Sequence, residues 1–204
     1  MTSYLILGCV YAFAAAVQPG PLQAYLISQT LTNGWRRTVF ASFAPLISDG
    51  PIIILVIFIL SHVSGEFIQI LQGIGGMFLL YLAYSAFKTW KNYNPDKEVG
   101  LQSTQQTVFK ATLVNLLNPN PYLGWSLVMG PLLLKSWREA PINGIILLVS
   151  FYCTMILFTA CIVMLFSAAK NLGQKASRIL IGISVIALAC FGFYQLWLGV
   201  ISRL

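Results

Sequence analysis

One carboxylate stands in the middle of a long apolar stretch. Residues 38–65 hold a single Asp, Glu, Lys or Arg, which is Asp49, with His62 near the far end. An ionised carboxylate at that depth of a bilayer costs at least ~2.5–3.5 kcal/mol on insertion scales, so it must be paired, hydrated or protonated. Such an acid either holds a coupling cation or a substrate amine, or hydrogen-bonds an unwound helix end and holds the bundle together; the first reading is favoured here. Its surroundings, Pro45-Leu46-Ile47-Ser48-Asp49-Gly50-Pro51, contain helix breakers on both sides. Two more segments break the backbone in apolar surroundings: Gln18-Pro19-Gly20-Pro21 and Asn118-Pro119-Asn120-Pro121, both of the form amide-Pro-x-Pro and 100 residues apart. A proline removes an amide donor and clashes with the carbonyl one turn earlier. Two in three residues should unwind a helix, and Gly20 or Asn120 between them tolerates unusual dihedrals. Carbonyls freed at membrane depth need protein partners or a cavity. Gln18, Gln23, Asn115, Asn118 and Asn120 are the polar side chains at hand.

The elements that position these residues are membrane helices. The 204 residues are 58% hydrophobic and 8% charged, against roughly 25% charged in soluble domains. With a mean hydropathy of +0.80 over the whole length, this excludes a soluble enzyme and a soluble domain on one anchor. Residues 1–35, 67–87, 111–134, 140–169 and 179–202 carry no Asp, Glu, Lys or Arg. Six spans are predicted at about 4–29, 38–61, 67–88, 108–133, 141–167 and 178–201, each long enough for a ~30 Å hydrocarbon core. Counted at 1.5 Å per residue, Asp49 lies ~16 Å along its span, and the two breaks fall at similar depth. The first Lys or Arg is Arg36 and the apolar run continues past Ala14-Ala15-Ala16, so a cleaved signal peptide is not expected.

Six spans sort the basic residues nine against three: Arg36, Arg37, Lys88, Lys91, Lys97, Lys110, Lys170, Lys175 and Arg178 on one side, Lys135, Arg138 and Arg203 on the other. The positive-inside rule then puts both termini outside the cytoplasm. The net charge of +7 is thus an orienting charge and does not point to nucleic acid. The polar stretch at about 89–107 is a cytoplasmic linker between two halves, about 1–88 and 108–204, of a single transport domain. Each break is followed by Trp-Arg, at Trp35-Arg36 and Trp137-Arg138. The reading is an all-α polytopic membrane protein, six helices forming two inverted three-helix repeats, with helices one and four broken. In secondary transporters such matched breaks mark the binding site.

Other side chains have plainer roles. Cys9, Cys153, Cys161 and Cys190 lie in apolar runs without a C-x-x-C and act as small hydrophobes. Gly73, Gly75 and Gly76 suit a close helix crossing. Trp35, Trp90, Trp137 and Trp197 suit the membrane interface. Trp125, Tyr122, Tyr81, Tyr84 and Tyr194 sit deeper, as packing residues or cavity walls.

These motifs resemble the LysE/RhtB amino-acid exporter family. Gln18-Pro19-Gly20-Pro21, Asn33-Gly34-Trp35-Arg36 and Asp49 are similar to its first half, and Asn115-Leu116-Leu117-Asn118-Pro119 to its second. The chain departs where the family often has several glycines, with Thr38, Ala41, Ala44 and Pro45. It also carries Asn120 where the second motif commonly has Lys. The resemblance implies a secondary exporter of amino acids or similar small metabolites in the cytoplasmic membrane, coupled to H+ or Na+ and often a homodimer. By matching positions it implies Pro19, Gly20, Pro21, Asp49, Asn118 and Pro119 at the site. The residues themselves add Gln18, Asn115, Asn120 and Pro121. No cofactor, metal or nucleic acid is expected. A divalent-metal exporter would need clustered acidic, imidazole or thiolate ligands. A thiol electron carrier would need two cysteines able to meet. Neither pattern is present, and no nucleophile–base set suggests an enzyme.

Overall fold

A computed structural model describes residues 1–56, 65–91, 102–169 and 174–201. His62 and positions 92–101 of the expected linker lie outside the described residues. Every regular element among those described is helical. Among the described residues three helices are long and apolar enough to cross a membrane: Gln69–Lys91, Pro141–Ala168 and Lys175–Gly199. They lie within α5 (Gly65–Lys91), α9 (Pro141–Ala169) and α10 (Gln174–Ile201).

The first predicted span divides into α1 (Thr2–Val17) and α2 (Pro21–Asn33), which meet at 64°. Pro19 has no N–H to give the Ala15 carbonyl, and Gly20 is fully extended (φ −166°, ψ 178°), so the ladder stops there. Gly34, with φ +84°, ends α2 in a conformation suited to glycine. The next region is broken too. After α3 (Trp35–Thr38) the chain runs as a 3₁₀ turn over Val39–Phe43 and then as α4 (Ala44–Ile54). Pro45 cannot donate to the Ala41 carbonyl, and the Ala44 N–H takes it one residue early, which is the 3₁₀ bond.

α6 (Thr104–Leu116) opens with a capping box between Ser103 and Gln106. Residues 104–107 and 89–91 of the expected connection are therefore helical. At Asn118, which is extended, the second break separates α6 from α7 (Pro119–Gly124). Beyond it lie a π-helical stretch, Trp125–Met129, and α8 (Gly130–Glu139). Gly130 donates its N–H to the Trp125 carbonyl and packs on that carbonyl so closely that a Cβ would collide with it.

Packing relates the elements in pairs. α1 lies along α9, where Gly8 lets the helices touch: a Cβ there would come within 2.7 Å of the Leu147 carbonyl. α6 lies along α4 and its 3₁₀ turn, and α5 lies along α10. Gly76 and Gly192 face one another's helices across the α5–α10 crossing, and Gly75 meets the Leu117 carbonyl at the second break. Of the expected packing glycines, Gly73 alone has open space where a Cβ would go. Two buried clusters result. One gathers Tyr25, Leu26, Leu79 and Val114 around α2, α5 and α6. The other gathers Ala12, Ile52, Trp125 and Phe151 around α1, α4 and α9. Tyr81, Tyr84 and Tyr194 point outward with Ile74, Ile183 and Trp197, forming an apolar exterior that suits lipid. Cys153, Cys161 and Cys190 are on that exterior as well.

Candidate functional site

The two breaks are held by donors from the following helix. In the first, the Gln23 amide spans back to the carbonyls of Ala16 (3.0 Å) and Ala15 (3.4 Å), which the prolines and the extended Gly20 leave unpaired. In the second, the Asn118 side chain accepts the Asn120 N–H at 3.2 Å. That N–H would serve the Leu116 carbonyl in an unbroken helix, and the Tyr122 hydroxyl serves it instead at 2.9 Å. Asn115, whose carbonyl faces the missing N–H of Pro119, accepts from the Asn118 N–H at 3.2 Å. One donor set is an amide and the other a phenol. The opened backbone is the same.

Asp49 lies between them, 4% exposed. Its Oδ1 accepts from Asn115 Nδ2 at 3.3 Å, and its Oδ2 from Trp125 Nε1 (3.2 Å) and the Tyr152 hydroxyl (3.3 Å). The Asn115 amide also reaches Ser48 Oγ at 2.7 Å, while Ser48 donates back to the Ala44 carbonyl at 3.0 Å. All three donors to Asp49 are neutral, so they solvate its charge without cancelling it. A carboxylate offers about four acceptor positions, and among the described residues one, on Oδ1, has no donor.

A cavity of about 390 Å³ joins these parts. Gln18, Pro19 and Gly20 line it from the first break, Asn118, Asn120 and Pro121 from the second, with Asp49 and Asn115 beside them. Pro21 and Pro119 are buried and do not line it; each occupies the first turn of the helix after its break. The remaining wall is largely apolar and aromatic, including Tyr11, Trp125, Met129, Phe151 and Met155. Trp125 and Phe151 meet edge to face at 5.9 Å. The cavity runs along α1, α4, the π-helical stretch, α9 and the first turn of α2. Farther along, α2 buries Tyr25, Leu26, Ser28 and Thr30, and the Tyr25 hydroxyl donates to the Thr107 carbonyl at 3.4 Å.

Over residues 13–199 the chain matches the LysE type translocator family. The chain belongs to that family. It is 27% identical over 206 residues to the Bacillus subtilis (strain 168) protein named "Putative amino acid efflux protein YcgF", covering 97% of this chain and 95% of the relative. No solved structure matches the chain. As a LysE-type translocator with several apolar helices it is a multi-pass membrane transporter and not an enzyme.

The breaks, the carboxylate and the pairing of Gln23 with freed carbonyls are legible along the chain. The parts played by Tyr152 and Ser48 are not, and Trp125 is legible only as a packing or cavity residue. A signal for Tyr152 existed: counted from Pro141, it lies about 16 Å along its helix, the depth computed for Asp49. Among the described residues no three His, Cys, Asp or Glu side chains come together as a divalent cation would require.

Proposed function

We propose that this LysE-type translocator is a secondary exporter that carries amino acids or similar small metabolites out across the cytoplasmic membrane, driven by a proton or sodium gradient. The observation that carries the proposal is that one cavity is lined by both helix breaks and by Asp49, the one buried carboxylate among the described residues. In this reading Gln18, Pro19, Gly20, Asn115, Asn118, Asn120 and Pro121 form the solute site with Asp49. Pro21 and Pro119 open the backbone behind it. The relative named for amino acid efflux supports the substrate class.

The same reading makes the chain one domain of six spans in two inverted halves, with both termini outside. The paired packing supports it: α1 on α9 and α6 on α4 exchange places when the halves are interchanged, and α5 on α10 is unchanged. If the nine-to-three sorting of basic residues by the predicted spans sets the orientation, the cavity lies on the outer side of the breaks and α2 fills the inward route. Rocking of one half against the other would then move the filled region past the site. The homodimer that the resemblance implies belongs to this proposal, and cross-linking in native membranes tests it.

The experiment for the exporter is Asp49→Asn in proteoliposomes, with a panel of amino acids tested for efflux with and without an imposed gradient. The substitution keeps shape and hydrogen-bonding capacity while removing the charge, so the protein should stay folded in detergent. Gradient-driven efflux should be lost, because an amide neither carries a proton nor holds a cation. Normal efflux by a well-folded variant would overturn the role of Asp49.

A further inference from the structure

We infer that the cavity selects its solute by a single ammonium group on a compact apolar body, and rejects solutes that bring a second uncompensated charge. This deepens the exporter reading and rests on it. Of the described residues that line the cavity, Asp49 alone is charged; no Lys or Arg is among them. Among the described residues its three donors are neutral, and one acceptor position on Oδ1 has no donor. A cation is the group that completes such a carboxylate. Trp125, which lines the cavity and donates to Asp49, and Phe151, in contact with Trp125, add aromatic rings near the carboxylate, and rings of this kind attract ammonium groups. The rest of a solute meets Leu22, Val128, Met129 and Met155. At about 390 Å³ the space is near the small end of ligand cavities, which run ~300–1,000 Å³.

Among the described residues the carboxylate of an amino acid finds only neutral partners here, such as the amides of Gln18, Asn118 and Asn120. The ammonium therefore carries recognition and the carboxylate is dispensable. A second ammonium, as in lysine, would lie among apolar side chains without a counter-charge. A second carboxylate, as in glutamate, would lie among the same side chains with no counter-charge and with the negative Asp49 in the same cavity.

The test is calorimetric titration of the purified full chain, paired with counterflow in proteoliposomes, using leucine, 3-methylbutylamine (leucine without its carboxylate), 4-methylpentanoate (leucine without its amine), lysine and glutamate. Leucine and 3-methylbutylamine should bind within about 10-fold of each other, and the other three about 100-fold more weakly or worse. Trp125→Leu should weaken the two binders by roughly 3- to 30-fold, the range expected of a lost cation–π contact. The inference is overturned if lysine, glutamate or 4-methylpentanoate binds as tightly as leucine, or if 3-methylbutylamine fails where leucine binds. In those cases the exporter reading stands. Absence of binding and counterflow for all five by folded protein would overturn both.

Discussion

The second helix break rests on a phenol, and removing its hydroxyl should weaken the fold by a predictable amount. In a continuous helix the Leu116 carbonyl would accept the Asn120 N–H. Here that N–H is held by the Asn118 side chain at 3.2 Å, and the Tyr122 hydroxyl takes its place at 2.9 Å. Tyr122→Phe keeps the ring and its edge-to-face contact with Phe67 at 5.3 Å, and removes only the donor. Tyr122 is 4% exposed, so water cannot readily replace it. A buried acceptor left without a partner costs about 1–3 kcal/mol, which is roughly a 5- to 150-fold shift in the unfolding equilibrium. The assay is reversible unfolding in mixed detergent, run as a double-mutant cycle with Asn118→Ala. That second substitution releases the Asn120 N–H, which can then turn to the Leu116 carbonyl. The Tyr122→Phe cost should therefore shrink in the Asn118→Ala background, with a coupling of at least about 0.5 kcal/mol. Additive effects, or a Tyr122→Phe cost below about 0.3 kcal/mol, would refute the account of how the break is sustained.

Further predictions concern topology and helix crossing. With Thr2→Cys and Gly100→Cys in a background freed of native cysteines, an impermeant thiol reagent should label residue 2 in intact cells and residue 100 only after lysis; the reverse pattern overturns the orientation, and labelling of both residues from the same side removes the inverted arrangement. At the α5–α10 crossing, a Cβ on Gly76 would stand 2.8 Å from the Gly192 carbonyl, so Gly76→Ala should destabilise by about 1–3 kcal/mol. Gly73→Ala, where the space is open, should be neutral or stabilising by up to about 1 kcal/mol through helix propensity. Equal losses at the two positions in a thermal-unfolding series would contradict the crossing geometry.

The sequence by itself determined the apolar helices, because a chain with 8% charged residues and uncharged runs of this length has no other stable arrangement in lipid. It determined both breaks as well, since Pro19, Pro21, Pro119 and Pro121 lack the amide hydrogens that a continuous helix needs at those places. It marked Asp49 as costly where it stands. Tertiary structure alone decided what surrounds that carboxylate. Asn115, Trp125 and Tyr152 are 66, 76 and 103 residues away along the chain, and no local periodicity announces that their donors converge. It also separated the prolines that open the backbone behind the wall, Pro21 and Pro119, from the residues that line the cavity, Pro19, Asn118 and Asn120. Local covalent constraints such as a missing N–H act within one helical turn and can be read along the chain. Side-chain encounters depend on which helices cross, and that is fixed by packing at contacts such as Gly8 on Leu147 and Gly76 on Gly192, far apart in sequence.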